Sequence, residues 1–102
     1  MCENLNDLYY FITLLIIAPN PEEYKELYHE CSTIISTPYQ SKDFGTSKEA
    51  LKRAWEDCAT RKNCKGVIDP LCKGKSFISC EKSEQGSSST HKGCLYVKPN
   101  SF

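Results

Sequence analysis

Apolar residues recur along this chain with two different periods, and the clearest is helical. In residues 46–60, TSKEALKRAWEDCAT, the positions Ala50, Leu51, Ala54, Trp55 and Cys58 fall at i, i+1, i+4, i+5 and i+8, while Lys48, Lys52, Arg53, Glu56 and Asp57 lie off that stripe. One apolar face on a 3.6-residue period predicts an amphipathic helix. Thr46 followed three residues later by Glu49 is a capping-box pair that marks its start. Trp55 sits on the stripe and reads as core rather than as a ligand-stacking ring.

The two-residue period follows the helix. CKGVID (64–69), closed by Pro70, reads as a short strand, and SFISCEK (76–82) and CLYVK (94–98) read as two more. The stretch SEQGSSSTHKG (83–93) between the last two has loop composition. Upstream, CSTIIST (31–37) is rich in Thr and Ile and ends before Pro38, so it predicts a strand. PEEYKELYHEC (21–31) places proline at a helix start, acids in the first turn, and Tyr24, Leu27, Tyr28 and Cys31 on one helical face. A short helix is expected there. One strong helix whose stripe needs a sheet to cover it defines an α+β class, and no internal repeat is visible.

The N-terminal run LYYFITLLIIA (8–18) has 11 residues, about half of what a membrane-spanning helix needs. No membrane span is expected from it. Its length matches the apolar core of a signal peptide, yet the preceding MCENLND is acidic where such a signal carries positive charge. It reads either as a signal remnant or as a segment packed on the domain. Pro19 and Pro21 separate it from the rest, giving residues 1–20 as an N-terminal apolar segment and 21–102 as a single domain.

Lys+Arg and Asp+Glu balance at 13 each, but the sum hides a segregation. Residues 1–30 hold six acids, Glu3, Asp7, Glu22, Glu23, Glu26 and Glu30, against the single base Lys25. Residues 48–75 hold eight bases, Lys48, Lys52, Arg53, Arg61, Lys62, Lys65, Lys73 and Lys75, against four acids. Those eight are the candidate ligand-binding residues, expected on the outer helix face and the following turns. An acidic protein or a sulfated, acidic glycan is the partner that such a basic face suits.

Seven cysteines in 102 residues is disulfide-framework usage, and disulfides imply an oxidising compartment. A zinc site favours close pairs such as C-x2-C, whereas the spacing from Cys58 is C-x5-C-x7-C-x7-C-x13-C, with His29 and His91 standing alone. No metal, no cofactor and no C-x-x-C redox pair is indicated. Six cysteines allow 15 connectivities. A short bridge from Cys58 to Cys64 is feasible across the turn after the helix; Cys72 and Cys80 flank KGKSFIS as a hairpin arm and base; Cys31 and Cys94, in the first and last strands, would clamp the ends. On chain entropy that clamp contributes about 4 kcal/mol and the short bridge about 2 kcal/mol. Cys2 is left as a free thiol with acids nearby, which blunt rather than activate it.

Residues 46–69, TSKEALKRAWEDCATRKNCKGVID, followed by SFISC and CLYVK, resemble the PAN/apple module in its invertebrate-type variants. The resemblance covers about residues 31–98, two-thirds of the chain. It implies a small disulfide-stabilised domain in which one main amphipathic helix packs on a curled antiparallel sheet. By position, Cys58 and Cys64 match the helix-to-strand bridge, and Cys31 and Cys94 match the terminal clamp of apple-type members. Many members carry a further helix cysteine one turn earlier, where this chain has Ala54; its usual partner on the central strands is thereby freed, a departure from the family pattern that bears on the Cys72–Cys80 pairing.

The resemblance implies an extracellular, non-catalytic binding module for protein or carbohydrate. The residues agree in offering no nucleophile with an adjacent base, no carboxylate pair in a recognisable frame and no Gly-rich phosphate loop; Gly66 reads as a backbone turn or a packing site. No enzymatic activity and no nucleic-acid partner is expected. The competing expectation is a small cysteine-rich secreted effector, toxin-like, acting on a receptor.

Overall fold

The computed structural model describes residues 19–100, so the apolar run 8–18 and Cys2 lie outside the described residues. The predicted helix is present as α2, Ser47–Thr60, which follows a single turn, α1 (Ser41–Phe44). Thr46 caps α2, its hydroxyl oxygen accepting from the Glu49 N–H at 3.1 Å, and all five stripe residues are buried. The Glu49 carboxylate turns instead to Arg53, whose Nε donates to it at 3.2 Å.

Residues 21–31 do not form the expected helix. Pro21–Tyr24 makes one 3-10 turn capped by the Asn20 side chain, and Lys25–Ile34 then runs extended as β1. Helix propensity is a weak prior that tertiary pairing overrides. Here the face that a helix would have buried stays largely outside, with Leu27 and Tyr28 exposed, while the extended backbone finds partners along both edges.

The remaining strands are β2 (Tyr39–Gln40), β3 (Gly66–Asp69), β4 (Ser76–Gln85) and β5 (Gly93–Val97). All pairings are antiparallel, in the order β1-β5-β3-β4-β2 with a further pairing of β1 to β4. The first half of β1 pairs with β5, Lys25 opposite Tyr96 and Leu27 opposite Cys94. Its second half pairs with β4, Cys31 opposite Ser83 and Ile34 opposite Cys80. His29 faces Gly93 on one side and Gln85 on the other, so β1, β5, β3 and β4 close into a ring. The change of partner coincides with a bulge at Tyr28, whose φ is 63° and whose carbonyl accepts from Gly86 N–H at 2.9 Å.

Strand alternation sorts the core into two layers. Val67, Phe77 and Tyr96 meet Leu51, Ala54 and Trp55 of α2 on one face. Ile68, Ile78, Leu95 and Cys80 pack on the other, inside the curl that β1 completes. The result is a small disulfide-stabilised α+β structure: one main helix on a curled antiparallel sheet.

Three disulfides join the six described cysteines, and two differ from expectation. Cys58–Cys64 ties the end of α2 to the chain entering β3, with Cα atoms 5.3 Å apart. The clamp Cys31–Cys94 and the hairpin pair Cys72–Cys80 are both replaced, by Cys31–Cys80 (6.0 Å) and Cys72–Cys94 (5.0 Å). Register gives the reason. Cys94 lies opposite Leu27, four residues from Cys31 and so about 13 Å along β1; bridged Cα atoms come within about 7 Å. Cys80 faces Gly66 and Cys94 faces Asp69, at opposite ends of β3, and the Cys72 N–H donates to Asp69 O at 3.1 Å, holding Cys72 at the Cys94 end.

Gly66 is a close-packing position. A Cβ there would come 2.5 Å from the carbonyl oxygen of Tyr96 in β5, backbone that cannot move without breaking the ladder. Gly66→Ala should therefore cost about 1–3 kcal/mol, measured as a lowered urea midpoint with an unchanged m-value; an unchanged midpoint would contradict the tight β3–β5 contact.

Candidate functional site

A groove of about 850 Å³ lies between the N-terminal half of α2 and the segment that enters β1. Leu51, Trp55, Phe77 and Tyr96 form its apolar floor. Pro19, Pro21, Glu22 and Lys25 stand along one wall and Lys48, Glu49, Lys52 and Glu56 along the other, with Asp69, Cys72 and Gly74 at the end. The walls are held together: the Trp55 indole N–H donates to the Pro19 carbonyl at 2.9 Å, and Tyr24 stacks on Trp55 at 6.3 Å between centroids.

The end of the groove is fixed as firmly. The buried Asp69 carboxylate accepts from the Gly74 N–H at 2.8 Å, and the Ser47 hydroxyl at the start of α2 donates to the Gly74 carbonyl. Gly74 has φ 71°, a left-handed conformation that suits glycine. Cys72–Cys94 holds the same loop to β5. These contacts bring Lys73 and Lys75 beside the start of α2.

The eight predicted basic residues do not make one face. Lys48 and Lys52 line the groove, and Lys73 and Lys75 flank it. Arg61, Lys62 and Lys65 lie past the other end of α2, about 20 Å away by helix rise. Arg61 is structural, its Nε donating to Asp57 at 3.0 Å and its Nη1 to the Ile35 carbonyl at 2.9 Å. Arg53 lies 5.8 Å over the Phe44 ring and pairs with Glu49.

Sequence reasoning missed Glu22, Lys25, Asp69 and Tyr96 as groove residues. One signal was present: Lys25 is the lone base in an acidic stretch, and here its ammonium sits 5.7 Å from the Tyr96 ring centroid. The lining is mixed in sign, with Lys25, Lys48 and Lys52 against Glu22, Glu49, Glu56 and Asp69. Among the described residues no group of three or more His, Cys, Asp or Glu could hold a metal ion, and no helix is long and apolar enough to cross a membrane.

No protein-family profile, curated protein or solved structure matches the chain. What the site can do is therefore read from its own chemistry. An apolar floor between charged walls can bury a partner's side chains while pairing charges of both signs at the rim.

Burial pushes the Tyr96 phenol up to about 12 from 10.0, with the nearby carboxylates of Glu22 and Asp69 adding to the effect. Burial also raises Tyr39, with Asp57 contributing next. A phenol whose folded pKa is raised favours the folded state fully below the unfolded value of 10, and that contribution is lost as pH rises through about 12. Stability of the oxidised protein should fall across this window, and Tyr96→Phe should flatten the fall, followed by thermal unfolding at stepped alkaline pH. An identical slope in the variant would remove Tyr96 as its source.

Proposed function

We propose that this chain is a secreted, non-catalytic binding module similar to PAN/apple modules, and that it holds a segment of a protein partner in the groove between α2 and the segment that enters β1. The observation that carries this reading is the groove itself, apolar at its floor, charged at its rim and built on a frame stapled by three disulfides. Disulfides of this density belong to oxidising compartments, which supports secretion. The PAN/apple likeness is supported by one helix on a curled antiparallel sheet and by Cys58–Cys64 at the helix end. The terminal Cys31–Cys94 clamp of that family has no counterpart.

Between protein and sulfated glycan, the charge of the lining favours protein. Four carboxylates among the groove residues would repel a polyanion, whereas a protein segment carrying both signs can match them.

Two measurements test it together. Heparin should release the oxidised protein below physiological salt of about 0.15 M. Extracellular fluid from the source should yield an identified protein ligand whose affinity for the Lys48→Glu/Lys52→Glu variant falls roughly tenfold or more. Retention on heparin above that salt, with no loss of protein ligand in the variant, would overturn the reading in favour of a glycan.

A further inference from the structure

A second hollow, separate from the groove, lies on the face of β3 turned away from α2. His29 is the last residue of β1 paired with β5; over residues 30–34 the ladder continues with β4 alone. Among the described residues no strand lies beside this stretch on the edge of β1 that faced β5. Behind this edge is a hollow of about 310 Å³ with buried Ile68 at its base and Ile34, Pro70 and Leu71 on its rim.

Leu71 is 57% exposed and Ile34 55%, the two most exposed of the large apolar side chains among the described residues. Both border the same hollow. A scattered exposed aliphatic needs no explanation, but two on one rim above an apolar base mark a contact surface. A free edge elsewhere is defended: β3 pairs with β4 only as far as Cys80, and beyond it β4 carries Glu81, Lys82 and Glu84. Residues 30–34 carry a single charge, Glu30. Ser32 is skipped in the β4 register, and its hydroxyl donates to the Lys82 carbonyl at 3.0 Å, bending β1 around the hollow without closing it.

The polar groups around the hollow specify the occupant further. Glu26 faces His29 Nε2 at 3.1 Å and Glu30 faces His91 Nε2 at 3.6 Å, so each nearby acid already meets an imidazole. Lys92 on the rim has no ion-pair partner among the described residues. His29 also lines the hollow, and its buried Nδ1 has no hydrogen-bond partner among the described residues. Such an atom is a polar demand that the described residues leave unmet.

We infer that the free edge of β1 accepts an extended segment of a protein partner as an added strand, with one aliphatic side chain seated between Ile34 and Leu71 and a carboxylate two residues away on Lys92. Backbone pairing supplies the attachment and the alternate side chains supply selectivity. Residues two apart on a strand share a face, which sets the spacing of anchor and acid.

The test uses a defined probe, acetyl-Thr-Val-Thr-Leu-Thr-Glu-Thr-amide, titrated into the oxidised, isotope-labelled full chain to about 1 mM, the range in which a single weak strand addition registers. The expected result is shifts confined to residues 30–34, Leu71 and Lys92, with slowed amide exchange over 30–34. The Leu71→Glu variant, altered at an exposed position, should bind the probe roughly tenfold more weakly. The same probe with Asp for Leu should bind more weakly still, and Lys48→Glu/Lys52→Glu should bind as the parent does. Shifts in the groove, no shifts at all, or equal binding by Leu71→Glu would overturn the inference. So would a dimer of the protein alone joined through residues 30–34, since the occupant would then be a second copy. Because the groove variant is scored separately, failure here leaves the groove reading standing, and failure of the groove leaves this one.

Discussion

β1 changes partner at His29, and that change closes the sheet. Its first half hydrogen-bonds β5 and its second half β4, two strands already joined through β3. Each backbone hydrogen bond contributes only about 1 kcal/mol net, so a strand split between two partners depends on something that fixes both halves at once. Cys31–Cys80 holds the second half to β4, and Cys72–Cys94 holds the loop after β3 to β5 at the residue that faces Leu27 of β1. In the chain-entropy account the closures spanning 49, 22 and 6 residues contribute about 4, 3 and 2 kcal/mol. The largest of these falls on β1.

Closure creates both concavities. On the helix side, the turn that leads into β1 is brought across from α2 and becomes a wall of the groove, with the Pro19 carbonyl bonded to Trp55. On the other side, β1 leaves β5 after His29 and opens the hollow edged by Ile34 and Leu71. The buried Tyr96, in contact with Phe77 and below Lys25, links the core to the groove floor.

What the sequence disclosed was local. The α2 stripe, its Thr46 cap and the strands around Val67, Phe77 and Leu95 are each written within a dozen residues, and all are present. β1 was legible only in its second half, where CSTIIST reads as a strand; over residues 25–30 its extended form depends on β4 and β5, some fifty to seventy residues away, while locally Tyr24, Leu27, Tyr28 and Cys31 have helical spacing. The disulfides failed for the same reason. Cys58–Cys64 spans one turn and could be read from the helix end, whereas the partners of Cys31 and Cys94 follow from where β1 switches. The basic residues were legible as a cluster in sequence, but a 14-residue helix separates its two ends in space and left Lys48 and Lys52 at the groove while Arg61 became structural.

Peptide mapping of the non-reduced, folded protein tests the closure of the sheet most directly. The account predicts Cys31 linked to Cys80 and Cys72 linked to Cys94. Cys31 linked to Cys94, with Cys72 linked to Cys80, would contradict it, because β1 could not then pair with β5 and β4 in the registers that build both the groove and the hollow.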